Sequence, residues 1–197
     1  MNWMLFAEDE YYEELIKEFK LTFSALPVYM HGNNLRSVSP YIWNKLRKEV
    51  LLNNECNCIT CGAVPKDDAD KKNFHLHEQW DIDKTNYVLN LTGLEMICRK
   101  CHDVEHIGRI QLLIKKGQLS EDYLYNLIDH VAKVNECETN EVVYSLKKFN
   151  FEFLMSGNSK KDELANKKWT YTIYKELPLY DNVITILIKK DLLYKNK

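Results

Sequence analysis

Hydrophobic residues recur at intervals of three and four positions in five stretches of this chain, and that spacing predicts amphipathic helices. Four of these stretches also begin or end at residues that commonly cap helices. The predicted helices cover Glu8–Ser24, a segment opened by Ser39 and Pro40, a segment after Cys101 that ends at Lys115-Lys116-Gly117, and two segments opened by Ser120 and Thr139.

Four shorter stretches are rich in β-branched and aromatic residues, and they predict strands. Phe74–Asp81 and Tyr87–Leu91 flank a turn at Asp83–Asn86, so we expect them to pair as a hairpin. Trp169–Leu177 and Asn182–Ile188 predict a second, C-terminal strand pair. Together the helices and strands predict an α+β fold.

Two cysteine pairs with the same spacing carry the clearest chemical signal. Cys58-x-x-Cys61 is followed by Gly62, and Cys98-x-x-Cys101 lies much later in the chain. Two pairs of this form commonly hold one zinc ion by four thiolates, and a site closed in this way is structural rather than catalytic. The 36 residues between the pairs exceed the spacing of an ordinary zinc ribbon, so the sequence predicts an insert with its own role.

The insert and the segment after it contain histidines at informative spacings. His102 and His106 are four residues apart on a predicted helix, so their side chains share one face and can reach one ion or one phosphate. On the first predicted strand, His75 and His77 lie on one side, because residues two apart share a face. Glu78 takes the other side unless the strand is bulged.

Composition narrows the class of protein only slightly. The chain has 197 residues, 45% of them hydrophobic, which is enough for one domain or one domain with appendages. Its net charge of −2 means that any face binding nucleic acid must be local.

The N-terminal residues do not resemble a signal or transit peptide, and the apolar run Val183–Ile188 is too short to cross a bilayer. Cys56 and Cys137 are too irregularly placed to indicate disulfides, and Cys56 is left out of the predicted zinc ligands. These features predict a cytoplasmic protein with no membrane association.

The predicted organisation has four parts. Residues 1–52 form an N-terminal helical region, 53–117 a zinc-stapled core, 118–155 a helical extension, and 156–197 a linker followed by the C-terminal strands.

The order of these motifs resembles that of the HNH endonucleases. The resemblance rests on Cys-x-x-Cys, a hairpin with His77-Glu78-Gln79-Trp80, and the stretch Cys98–Arg109 with its Cys-x-x-Cys-His-x-x-x-His pattern, which is similar to a bacterial and phage branch of the family. It covers residues 39–109 well and says nothing specific about either terminus. The resemblance implies a ββα-metal core held together by a four-cysteine zinc site. It also implies that the protein serves phage, mobile-element or defence biology.

The resemblance also implies a mechanism. In this family a histidine of the first strand deprotonates the water that attacks a phosphodiester, and one divalent ion, Mg²⁺ or Mn²⁺, stabilises the developing charge. His102 is then a metal ligand, and His106 is a second ligand or a phosphate contact.

The roles on the first strand stay open at this point. The family commonly places a ligand directly before the base histidine, but Leu76 cannot ligate. Either His77 and Glu78 fill the roles of base and ligand between them, in one order or the other, or the ligand comes from His75. We favour His77 and Glu78 together, which makes His77, Glu78 and His102 the catalytic candidates.

One departure from the family pattern favours a different class of function. The family usually has an asparagine, which orients the base, five residues before the second cysteine pair, where this chain has Gly93. Asn90 or Thr92 could substitute. The alternative is a zinc module, weakly active or inactive, that binds DNA or a protein partner.

Basic residues lie on and beside the final predicted helix of the core and form a local basic surface. Arg99, Lys100 and Arg109 are the candidate phosphate contacts, so we expect a nucleic acid, most simply DNA, as the partner. A homodimer or a protein partner stays open, and no element for reading base sequence is recognised.

Overall fold

A computed structural model of the chain describes residues 13–53, 56–155 and 163–195. It is a mixed α+β structure, as the sequence predicts. The α-helices that lie wholly within this part are labelled α1 (Leu35–Val38), α2 (Pro40–Asn53), α3 (Arg99–Glu105), α4 (Ile107–Lys115), α5 (Glu121–Asn135), α6 (Thr139–Met155) and α7 (Tyr180–Lys189). The strands are β1 (Phe74–Asp83), β2 (Val88–Cys98) and β3 (Thr170–Ile173), and 3₁₀ turns lie at Val28–Met30, Asp70–Asn73 and Glu163–Asn166.

The chain divides into two compact units, and each consists of two separate segments. One unit comprises Met1–Leu26 and Cys98–Ser159, and the other Pro27–Ile97 and Lys160–Lys197. We call them the helical unit and the sheet unit. Within the described ranges, no helix is both long enough and apolar enough to cross a membrane.

The sheet unit is built on the predicted hairpin. β1 and β2 are neighbours in a three-stranded sheet, and β2 is its central strand. Asp83 shapes the turn, because its carboxylate accepts hydrogen bonds from the backbone N–H groups of Thr85 and Asn86 at 2.9 and 3.0 Å. The turn predicted at this position is therefore confirmed, although both strands extend beyond their predicted ends.

The prediction of a C-terminal strand pair is wrong. Only Thr170–Ile173 is a strand there, and it pairs in parallel with β2, with Leu89 opposite Tyr171. The predicted strand Asn182–Ile188 lies instead in α7, where Val183 and Leu187 are buried one turn apart. Burial at this helical spacing outweighs the strand propensity of its β-branched residues.

Aromatic packing closes the sheet unit. Trp169, only 2% exposed, stacks on Tyr29 with ring centroids 5.2 Å apart. Tyr171 is buried beside Trp80. This aromatic packing fixes the hairpin that carries His77 and Glu78. In the same unit, helix α2 begins as predicted, since the Ser39 hydroxyl accepts the backbone N–H of Ile42 at 3.3 Å.

The helical unit contains α3 to α6, whose buried faces share one core that includes Val104, Ile107, Leu127, Val131 and Val142. The helices predicted after Ser120 and Thr139 are confirmed as α5 and α6. The linker predicted at residues 156–168 lies mostly outside the described residues.

The N-terminal helix predicted for Glu8–Ser24 is too long. Residues 13–17 are helical, residues 8–12 lie outside the described part, and the helix does not reach Ser24. The Asn135 side chain pairs with the backbone of buried Leu21, accepting its N–H at 3.1 Å and donating to its carbonyl at 2.9 Å. These bonds replace the ones that a continuing helix would make.

Candidate metal centre and histidine residues

The first cysteine pair lies in a tight turn that the backbone holds by itself. The backbone N–H of Cys58 donates to the carbonyl of Ala63, and that of Gly62 donates to the carbonyl of Cys58, both at 2.8 Å. Gly62 adopts a φ of +72°, a conformation that residues with a Cβ rarely adopt. The glycine after the pair therefore lets the chain reverse while both thiols face inward.

The second pair lies where β2 passes into α3. Cys98 is the last residue of β2, and Cys101 follows in the first turn of the helix, fully buried. A strand that runs directly into a helix turns the chain sharply, which allows residues three apart to approach the same point.

The four cysteines of the two pairs lie together. Their Sγ atoms are all within 4.8 Å of one another, and among the described residues no other group of three or more metal-ligating side chains is found. A zinc–sulfur distance of about 2.3 Å places the sulfurs of a tetrahedral site about 3.8 Å apart, so the cluster fits such an ion. The four thiolates can hold a metal such as zinc, and Cys56 is not part of the cluster.

The predicted single helix after Cys101 is in fact two helices that meet at His106. The backbone N–H of Ile107 donates to the carbonyl of Ser24 at 3.1 Å, and the Ser24 hydroxyl donates to the carbonyl of Glu105 at 2.7 Å. The N-terminal segment thus replaces bonds of the helix and breaks it. The second helix ends at Lys115, before Gly117 with its φ of +68°, as predicted.

The break leaves His102 and His106 close to each other. Their ring centroids are 4.5 Å apart and the rings are tilted by 63°. The closeness that the sequence predicts for residues four apart is therefore observed, and a shared ion or phosphate stays a prediction.

A buried carboxylate that the sequence reasoning missed lies next to His102. Asp103 is 4% exposed; it accepts a hydrogen bond from the Tyr123 hydroxyl at 2.5 Å, and His102 Nδ1 is 3.7 Å from its Oδ1. Burial alone would raise the pKa of Asp103, but the neighbouring His102 ring, the hydrogen bond from the Tyr123 hydroxyl and the charge of Arg109 hold it below its ordinary value. Asp103 is thus an anion in contact with a candidate ligand.

Asp103 also pairs with two of the predicted phosphate contacts. Arg99 Nε and Arg109 Nη1 both lie 3.7 Å from its carboxylate oxygens, and their side chains are 59% and 63% exposed. Lys100 is exposed on the same helix as Arg99. The two guanidinium groups are anchored at one side and open to solvent on the other.

On β1, the two catalytic candidates point to opposite faces of the strand. Phe74 and Leu76 are buried, so His75 and His77 lie on the opposite face from them. Glu78 lies on the buried face, where its Oε1 accepts the backbone N–H of Leu35 at 2.7 Å. Adjacent residues of a strand point to opposite faces, so His77 and Glu78 lie on different sides of β1. The role of each stays a prediction.

The carboxyl group of Glu78 is strongly perturbed. Burial raises its pKa from 4.5 to about 7, and the hydrogen bonds from the Leu35 N–H and the Trp80 side chain only partly offset this. Burial, with the charge of Glu78, also raises the pKa of Tyr171. Near neutral pH the group therefore titrates in the folded protein.

We expect Glu78→Gln to change how stability depends on pH. In the unfolded chain the carboxyl loses its proton near pH 4.5, whereas the folded protein keeps it until about pH 7. The wild type therefore loses stability as pH rises through that window, by up to about 3 kcal/mol, and the glutamine variant lacks this loss. Urea unfolding of both proteins at pH 5 and pH 8, without added Mg²⁺ or Mn²⁺, measures the difference; parallel profiles would refute it.

Gly93, at the position of the family asparagine, is covered by a neighbouring side chain. A Cβ there would collide with the carboxamide oxygen of Gln79, whose nitrogen donates to the Glu95 carboxylate. The two nearby substitutes that the sequence offers are engaged elsewhere, because Asn90 accepts from the Thr172 hydroxyl and Thr92 donates to the backbone of Gln79.

Comparisons of this chain with protein-family models, with curated proteins and with solved structures find no match.

Proposed function

We propose that the chain is a metal-dependent endonuclease of the HNH type that hydrolyses phosphodiester bonds, with DNA as the substrate class. The observation that carries the proposal is the order β1–β2–α3. The hairpin β1–β2 bears His77, its second strand ends at Cys98 of the four-cysteine cluster, and the helix that follows bears His102. This is the ββα order that the resemblance implies. We further propose that zinc is the ion of the cysteine cluster, with a purely structural role.

In this proposal His77 is the general base. Its place on the face of β1 opposite Phe74 and Leu76 keeps it off the buried face, and a neutral imidazole can accept the proton of an attacking water near pH 7. Glu78 is hydrogen-bonded to the Leu35 backbone on the buried face, so it serves better to hold β1 against the start of α1 than to activate water.

A divalent ion, Mg²⁺ or Mn²⁺, would supply Lewis-acid stabilisation of the phosphate charge. His102 and His106, with rings 4.5 Å apart, are the residues that would hold it, and His102 rests against the Asp103 carboxylate. Mg²⁺ and Mn²⁺ prefer oxygen ligands and Mg²⁺ keeps several waters, so water and phosphate oxygens would complete the coordination beside the two imidazoles.

Phosphate contact falls to the arginines of α3 and α4. Arg99 and Arg109 form ion pairs with Asp103 and are mostly exposed, and Lys100 adds a third positive charge. Guanidinium groups held in this way can bind a phosphodiester without ordering long side chains at the moment of binding. These contacts are sequence-independent, so binding should weaken steeply with salt.

A second function has one observation in its favour. Gly93 is covered by the Gln79 carboxamide, and the two nearby polar residues are hydrogen-bonded to other groups. On this second proposal, the chain lacks a group to orient its base. It is then a zinc module that binds DNA or a protein partner and does not cleave DNA.

The test is cleavage of supercoiled plasmid by the zinc-loaded protein. We expect nicked or linear product with Mg²⁺ or Mn²⁺ and none when free divalent ions are omitted. The His102→Ala protein, purified in parallel, controls for contaminating nuclease. Absence of cleavage of plasmid, single-stranded DNA and RNA with both ions would reject the nuclease, and salt-sensitive DNA binding without cleavage would favour the binding module.

A further inference from the structure

A histidine from outside the four-cysteine cluster contacts one of its sulfur atoms. The Nε2 atom of His130 lies 3.2 Å from the Sγ of Cys101, in a partly buried position, although the two residues are 29 positions apart. His130 is on α5, and the neighbouring residues Leu127 and Val131 are fully buried, so the packing of that helix fixes where the ring lies.

The geometry favours a hydrogen bond over a fifth ligand. Among the described residues, the group of side chains that can share one ion consists of the four cysteines and does not include His130. Its ring nitrogen therefore approaches one sulfur rather than the centre of the cluster. When a metal binds, each thiol loses its proton to solvent, and a thiolate can only accept hydrogen bonds.

We propose that His130 donates its Nε2–H to the thiolate of Cys101 and stabilises the metal-bound form of the cluster. A tetrathiolate zinc site carries a net charge of −2, and Cys101 and Cys58 are almost completely buried. A donor aimed at one sulfur draws off part of this charge and makes the thiolate less prone to protonation and release. His130 is thus a positioning residue of the metal centre, independent of any nuclease activity.

The first experiment uses the unmodified protein. Nitrogen-15 spectra of the histidine rings in the zinc-loaded chain report which nitrogen of His130 carries the proton. We expect the Nε2–H form, with a measurable scalar coupling from that proton to ¹¹³Cd after cadmium substitution. A ring protonated only at Nδ1, or an Nε2 shift typical of direct metal coordination, would overturn the proposal.

The second experiment removes the donor while keeping a ring. We expect His130→Phe to weaken zinc binding in chelator competition by about 10-fold to 100-fold, the usual loss when a hydrogen bond to a metal ligand is removed. The sulfur-to-metal absorption of the Co²⁺ form should move to longer wavelength, and His130→Gln, which keeps an N–H, should recover part of both effects.

A matched control lies one turn earlier on the same helix. Asn126 is exposed and its side chain donates to the backbone carbonyl of Asp122 on the same helix, so Asn126→Ala should leave the zinc affinity and the Co²⁺ spectrum unchanged. Equal zinc affinity and an unshifted Co²⁺ band in His130→Phe would overturn the proposal. Because neither readout involves DNA, they stand whether or not the chain cleaves it.

Discussion

Replacing Cys61 by alanine is expected to abolish stoichiometric metal binding and to unfold much of the chain. Cys61 supplies one of four sulfurs that lie within 4.8 Å of one another, and three thiolates hold zinc far more weakly than four. Structural zinc contributes on the order of 10 kcal/mol in small zinc domains, which is comparable with the whole stability of a typical domain. The thermal midpoint should therefore fall by more than about 10 °C, or the cooperative transition should disappear.

The chain provides its own control for this substitution. Cys56 lies only five positions earlier and is similarly half-buried, but it is not in the cluster. Metal analysis by mass spectrometry and thermal unfolding should show one zinc per chain and a near-normal midpoint for Cys56→Ala. If Cys56→Ala lost its zinc as Cys61→Ala does, or if Cys61→Ala kept it, the assignment of the ligands would be wrong.

The parts of the site that the sequence predicts are those set by local spacing. Two residues between the cysteines of each pair, with a glycine after the first, predicted the cluster, because such a turn needs only its own backbone bonds. The turn at Asp83 and the cap at Ser39 were predictable for the same reason. In each case the partner is within a few residues, so the pattern is visible in the chain.

The errors arise where a distant residue decides the local structure. The N-terminal helix stops early because Asn135, 114 positions away, binds the backbone of Leu21. The helix after Cys101 is broken because Ser24 binds the Ile107 N–H and the Glu105 carbonyl, on either side of His106. The contact between His130 and Cys101 has no sequence signal for the same reason, since no short spacing links the two residues.

A second kind of error arises where propensity and packing disagree. Residues 182–188 are rich in isoleucine and valine, which predicts a strand, but the buried positions Val183 and Leu187 are four apart, and the segment is helical. On β1 the ordinary alternation of strand residues instead decides the outcome, because neighbours such as His77 and Glu78 point to opposite faces, and Glu78 binds the Leu35 N–H. That separation turns the open choice between two bases into a testable difference.

If the chain is a nuclease, His77→Ala is expected to lower its cleavage rate by about 100-fold to 10,000-fold, the usual contribution of general acid–base catalysis. Glu78→Gln should stay within a few-fold of the wild type at pH 7, because glutamine can still accept the Leu35 N–H on the buried face of β1. Initial rates of plasmid nicking with saturating Mn²⁺, on proteins of equal zinc content, measure both effects.

The response of His77→Ala to added reagents separates the two roles that the residue could have. Loss of a base is relieved by added imidazole or by higher pH, since either supplies another proton acceptor, whereas loss of a ligand is relieved by a higher concentration of Mn²⁺. We expect the first response from His77→Ala and the second from His102→Ala. In the wild type the His102 ring lies against His106 and the Asp103 carboxylate. A Glu78→Gln variant as inactive as His77→Ala would transfer the base to Glu78, and full activity in both His77→Ala and His102→Ala would remove these residues from the chemistry altogether.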